Sequence, residues 1–201
     1  MKKPSSAQAK QTAEAALRKH IGECLKLLGY DLKHPDMIRT PYRAARIWME
    51  ELHVDKPPSK KLFSVFPAKY DQMVVMVGHK TWTRCPHHLE RVRLTVSIGY
   101  LPNGRVIGLS KLARIADWYA LGMQLQEGYV ENLAEGLMCA LEPKGVGIHV
   151  EGQHLCMKAR GVESEGDVVT TALRGMFFER PETQREFLQY VMHHKAKGVI
   201  A

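Results

Sequence analysis

Arg91-Val92-Arg93-Leu94-Thr95-Val96-Ser97-Ile98-Gly99-Tyr100 alternates without interruption. In an extended chain successive side chains point to opposite faces, so Val92, Leu94, Val96, Ile98 and Tyr100 share one side and Arg91, Arg93, Thr95, Ser97 and Gly99 the other. Alternation of this length predicts a strand with one face buried. Met73-Val74-Val75-Met76-Val77 upstream is rich in β-formers, and Pro102-Asn103-Gly104 downstream is turn chemistry. Val106-Ile107-Gly108-Leu109-Ser110 then leads into a helix carrying Leu112, Ile115, Ala116 and Tyr119. Gly122 breaks that helix, and another is predicted over 125–141. Residues 146–157 return to alternation, with Val146, Ile148 and Val150 on one side and His149 and Glu151 on the other. A short β segment over 168–172 is placed to pair with it.

Residues 6–28 carry Ala13, Leu17, Ile21, Leu25 and Leu28 at helical spacing, with Ser5 or Ser6 to cap the start and Gly29 to stop it. A second helix is predicted over 40–52, where Thr40-Pro41 supplies a cap and a first-turn proline and Ala44, Ile47, Trp48 and Leu52 form the apolar stripe. Residues 53–69, with Pro57, Pro58 and Pro67, read as a loop. Pro181 opens a last helix whose Phe187, Leu188, Tyr190 and Val191 fall on one side. The order of elements is that of an α+β chain, divided into a helical region over 1–70 and a sheet-containing domain over 71–201.

A chain of 201 residues is long enough for one domain with a helical appendage. No apolar run approaches the length of a bilayer span, and the first residues, Met1-Lys2-Lys3-Pro4-Ser5-Ser6, lack the apolar core of a secretory signal, so the cytoplasm is expected. The net charge of +8 is not gathered in one arm and has no aromatic or zinc-finger pattern beside it, which argues against nucleic acid. Four cysteines, Cys24, Cys85, Cys139 and Cys156, are too few and too scattered for a disulfide framework. Cys24 and Cys139 sit within helical patterns and are expected as buried thiols.

Cys85-Pro86-His87-His88 and His154-Leu155-Cys156 carry thiolate and imidazole, the donors of a zinc site. A cysteine and two histidines beside a proline also fit plain packing. The second stretch shifts the balance, because two Cys/His groups in a reduced chain favour a shared metal. Cys85, His87, His88, His154 and Cys156 exceed what a metal with one open position needs, and three ligands would leave two histidines for proton transfer. If the strand continues, His154 and Cys156 share a face and Lys158 and Arg160 follow on the same side. Ser110, Lys111 and Arg114 lie at a predicted helix start, where backbone N–H groups favour an anion. With Arg43 from the second helix, these cations suit a phosphorylated ligand. Gln126-Glu127, an amide beside a carboxylate, can read the donor edge of a guanine.

These motifs, in this order and at these spacings, resemble the GTP cyclohydrolase I family. The resemblance rests on Cys85-Pro86-His87-His88, on 106–111, on Gln124-Leu125-Gln126-Glu127 and on 154–161, with Thr40-Pro41-Tyr42-Arg43 upstream and Thr170-Thr171 and Arg185-Glu186-Phe187-Leu188 downstream. It implies the tunnelling fold, in which antiparallel sheets from several subunits close into barrels, two pentamers stack into a decamer, and active sites lie at subunit boundaries. It implies Zn²⁺, one per subunit, held by Cys85, His88 and Cys156, with His87 and His154 as acid/base groups and Ser110 as a further proton handler. Gln126 and Glu127 match the guanine-binding positions, and Lys111, Arg114, Arg160 and Arg43 those around ribose and triphosphate. The implied reaction opens the guanine imidazole ring of GTP at C8, releases formate and forms 7,8-dihydroneopterin triphosphate, the first step of folate, pterin or deazapurine pathways.

The family usually has glutamate at the position of Pro86, an aromatic-x-glycine pattern where Val92-Arg93-Leu94 stands, and a polar residue in place of Gly128. Loss of a carboxylate beside the metal supports a rival reading, a divergent cyclohydrolase acting on another purine such as 8-oxoguanine or urate. A second rival is a non-catalytic, zinc-stabilised nucleotide-binding ring, against which the two spare histidines argue.

Overall fold

The computed structural model describes residues 7–52 and 60–196. The chain forms two compact units, 1–57 and 58–201. Helices α1 (Ala7–Leu27) and α2 (Thr40–Leu52) make the first, close to their predicted bounds. Ser5 and Ser6, the predicted caps of α1, lie outside the described residues. Gly29 ends α1 with a φ of 87°, a left-handed conformation that only glycine takes without strain. Thr40 does not cap α2 as predicted: it is the first helical residue, and its hydroxyl donates back to the Asp36 carbonyl. Ala45 and Pro41 are buried, but Leu28 and Ile47, expected on apolar stripes, are exposed. Two helices share one contact line, too narrow to cover both stripes.

The second unit is built on a four-stranded antiparallel sheet of order β2-β3-β5-β6, comprising β2 (Val74–Arg84), β3 (Arg91–Leu101), β5 (Gly145–His154) and β6 (Val168–Gly175). The predicted loop over 53–69 is corrected where it is described: residues 60–63 form a 3₁₀ turn, and β1 (Val65–Pro67) pairs with β4 (Arg105–Ile107). These residues fall on the helical side of the boundary expected at 70, yet they belong to the sheet-containing unit. β6 pairs with β5 as the sequence predicts, Val150 opposite Thr170.

Val92, Leu94, Val96, Ile98 and Tyr100 are all buried. They meet helices α3 (Leu109–Ala120) and α4 (Gln126–Leu141), whose Leu112, Ile115, Leu133 and Leu137 complete the main core. Cys139 is exposed rather than buried, because it falls off the α4 stripe of Tyr129, Val130, Leu133, Leu137 and Leu141. Cys24 on α1 is exposed as well.

A smaller core lies on the other sheet face, under α6 (Met176–Glu179) and α7 (Pro181–Ala196). Gly99 and Gly147 sit opposite each other on β3 and β5 and leave a slot there. A Cβ at Gly147 would lie 2.4 Å from the Phe177 ring, and one at Gly99 2.7 Å from Phe187. The two rings fill the slot edge to face, 5.6 Å apart at 77°. Tyr190, expected on the same side of α7, is half exposed, since the helix meets the sheet along Phe187, Leu188 and Val191.

Candidate active site

Three backbone features converge at one end of the sheet. The first is the β2–β3 connection. Arg84 pairs with Arg91, and the intervening turn is closed by the Cys85 amide donating to the Glu90 carbonyl and the Leu89 amide to the Cys85 carbonyl, 2.9 and 3.0 Å. Leu89 takes a positive φ of 58°, uncommon for a leucine, and the Arg84 guanidinium anchors its carbonyl at 2.8 Å. This turn presents Cys85, Pro86, His87 and His88.

The second feature is the end of β5. His154 stands opposite Val92, next to the turn. The predicted strand through 157 is corrected here: β5 stops at His154, and Leu155–Lys158 form one helical turn, α5. Cys156 therefore reaches the site from a helical turn and not from the face of a strand. Lys158 is also displaced from its expected place, its ammonium pairing with Asp167 at 3.2 Å and Glu165 at 3.5 Å.

The third is the start of α4. The Gln124 amide donates to the Arg84 carbonyl at 3.1 Å, and its side-chain amide donates to the Tyr119 carbonyl at 2.6 Å. Gln124 so ties the end of β2 next to Cys85 to the helix that begins two residues later with Gln126 and Glu127.

Cys85 Sγ, a His88 ring nitrogen and Cys156 Sγ lie within 4.8 Å of one another. Cys85 Sγ is 3.7 Å from His88 Nδ1. Tetrahedral zinc with ordinary bond lengths sets a sulfur and a nitrogen ligand about 3.6 Å apart. Burial pushes the Cys156 thiol up, and Cys85 beside it pushes the same way. A divalent cation between two adjacent thiols holds both as thiolates, so the donor set fits zinc.

These ligands open onto a cavity of about 290 Å³, whose wall also includes Pro86, His87, Glu127 and His154. Burial lowers the pKa of His154, opposed by the nearby Glu127 carboxylate. Glu127 is exposed in the first turn of α4, where the helix dipole favours its charge. His87 is exposed, its ring edge-on to His88 with centroids 6.2 Å apart.

Gln126, expected to face a ligand, is turned inward and only 3% exposed. Its side-chain nitrogen reaches the Val168 carbonyl at 3.0 Å, Thr170 Oγ1 at 3.0 Å and the Val150 carbonyl at 3.3 Å, and its oxygen lies 2.9 Å from His154 Nε2. The anchoring roles of Gln124 and Thr170 have no signal in a single sequence, because each depends on strands far away along the chain.

Ser110, Lys111, Arg114 and Arg160 do not line the cavity. Ser110 and Lys111 lie in the first turn of α3 and Arg114 one turn on. Arg160 is exposed beyond α5, and Arg43 lies on α2 in the first unit. The second unit brings together Cys85, His88 and Cys156, both spare histidines and the Gln126-Glu127 pair, and leaves Ser110, Lys111, Arg114 and Arg160 off that wall.

The chain is similar along most of its length to curated relatives. It is 38% identical over 180 residues to GTP cyclohydrolase 1 of Thermobifida fusca, covering 88% of this chain and 87% of that one. It is 42% identical over 168 residues to GTP cyclohydrolase 1 of Aquifex aeolicus, covering 83% and 90%. Among solved structures, the apo form of the archaeosine synthase QueF-Like is similar over 53% of this chain and 97% of that one, at 21% identity and a TM-score of 0.45. The family model for GTP cyclohydrolase I matches residues 17–192, a span that takes in all three converging features, and the chain belongs to that hydrolase family.

Proposed function

We propose that this protein opens the guanine imidazole ring of GTP by hydrolysis at C8, releasing formate and forming 7,8-dihydroneopterin triphosphate. The observation that carries the reading is the convergence, in one cavity, of a three-donor soft cluster with two further histidines and a carboxylate. Cys85, His88 and Cys156 would hold zinc, which supplies a Lewis acid that makes water a competent nucleophile at neutral pH. Glu127 accepts hydrogen bonds from the guanine N–H groups and fixes C8 over the ligand triangle. His154 gives a proton to the ring nitrogen as the C8–N bond opens, and His87 and Ser110 move protons in the later rearrangement of the ribose. Two waters enter and one leaves on ring closure, for a net uptake of one.

Lys111, Arg114, Arg160 and Arg43 are assigned to the triphosphate. The absence of Lys111, Arg114 and Arg160 from the cavity wall of a single chain supports a site completed by neighbouring copies, in a decamer of two stacked pentamers in the cytoplasm. Among the described residues no helix is long and apolar enough to cross a membrane.

The test is release of C8 measured across GTP, guanine, 8-oxo-GTP and urate, as formate from the first two and as carbon dioxide from the last two, whose C8 is already a carbonyl, with metal content determined on the same protein. Formate from GTP with one zinc per chain is expected. C8 released from another purine only, as formate or as carbon dioxide, would move the reading to a divergent cyclohydrolase, and none from any purine to a binding ring. Stripping the zinc with a chelator should abolish turnover, and stoichiometric zinc should restore it.

A further inference from the structure

The Gln126 side chain is a buried amide whose orientation is dictated by its surroundings. Its nitrogen faces two main-chain carbonyls, Val168 O at 3.0 Å and Val150 O at 3.3 Å, which can only accept. Thr170 Oγ1 at 3.0 Å completes the set. Turning the amide over would place its oxygen against two carbonyl oxygens, where like partial charges repel and both hydrogen bonds are lost. The amide oxygen is therefore the atom that faces His154 Nε2 at 2.9 Å. An amide oxygen has no hydrogen to give, so Nε2 must carry one.

We infer that Gln126 is a positioning residue that locks His154 in the tautomer with hydrogen on Nε2, leaving Nδ1 as the ring nitrogen that exchanges a proton with the substrate. The inference rests on the function proposed above. In the neutral ring Nδ1 holds the lone pair, and in the protonated ring it holds the proton to be given away. The Nε2–H bond to Gln126 is the same in both states, so the ring need not turn when the proton moves. Proton transfer to the purine leaves a neutral imidazole and changes nothing on the Gln126 side.

The surroundings are shaped for this contact. Gly152 lies beneath the amide, and a Cβ there would stand 1.9 Å from the Gln126 oxygen. Gln126 is reached from α4, its acceptors from β5 and β6, and its acceptor oxygen ends on the last residue of β5. Three elements thus fix one imidazole. A direct substrate contact, the role expected from its place beside Glu127, fits poorly because both amide hydrogens are already engaged.

The experiment has two readouts on zinc-loaded protein. In the first, ¹⁵N-histidine spectra of the unsubstituted chain above the titration range report which ring nitrogen of His154 carries hydrogen, with His154→Ala used for assignment. A protonated Nε2 and bare Nδ1 are expected; the opposite tautomer, or a mixture, overturns the proposal whether or not GTP is a substrate. The second compares Gln126→Met and Gly152→Ala with the parent in formate release. Each should lower kcat about 10–100-fold with KM for GTP within twofold, while zinc content holds. A raised KM with unchanged kcat would show a substrate contact instead, and unchanged values of both would also overturn the proposal. If the parent releases no formate from GTP yet shows the Nε2–H tautomer, the positioning survives and the substrate assignment fails.

Discussion

His154 and Cys156 are two residues apart, yet they reach the site by different routes. β5 ends at His154, and the α5 turn swings Cys156 back toward Cys85 and His88. Their roles separate with the geometry. Cys156→Ser should lose stoichiometric zinc, because a hydroxyl is a far weaker ligand than a thiolate. His154→Ala should keep one zinc per chain and the oligomer but lose about 10²–10⁴-fold in formate release, the usual worth of a positioned proton donor. Metal analysis and a formate assay on the two variants check both; full turnover in His154→Ala would place the proton donor elsewhere. The cluster of Cys85, His88 and Cys156 was legible because soft donors at short spacing are rare in a reduced chain. The inward turn of Gln126 was not, since it depends on the carbonyls of Val150 and Val168, which sequence spacing does not bring near.

The two faces of the sheet differ in how far pattern alone could describe them. The α3/α4 face is written in β3 as five alternating apolar residues, and all five are buried. The α6/α7 face is written as Ser97, Gly99 and Arg93, which look like a wet side. Its core is formed by absence, where paired glycines on β3 and β5 admit Phe177 and Phe187. A glycine in a strand pattern signals a close approach but does not name the partner. Gly147→Ala should therefore destabilise, against the usual gain from replacing glycine in a strand, by about 1–3 kcal/mol of overpacking. Phe187→Ala should cost about 3–5 kcal/mol by opening the slot. The midpoint of urea unfolding reads both, and a Gly147→Ala protein as stable as the parent would mean the rings shift without cost. The short elements β1 and α5 escaped prediction for a different reason: three or four residues are too few for either period to show.

At the scale of the molecule, the Cys/His cluster with its two further histidines is separated from Ser110 and from the cations proposed for the triphosphate. The cavity wall holds Cys85, His88, Cys156, His87, His154 and Glu127, whereas Ser110, Lys111, Arg114 and Arg160 are absent from it. A triphosphate leaving this cavity without cations would be stranded, since burying several negative charges unpaired is prohibitive. The proposed assembly resolves this by bringing the α3 start of one copy to the cavity of another, which closed rings with head-to-tail interfaces do at every boundary. Complementation makes the point measurable. His154→Ala and Lys111→Ala chains, each inactive or nearly so alone, are dissociated, mixed in equal amounts and reassembled with zinc. If the two residues serve one site from different copies, random assembly leaves roughly a quarter of the boundaries with both groups intact, and formate release should recover to about that fraction. If both residues come from the same chain, every site carries one lesion or the other and mixing recovers nothing.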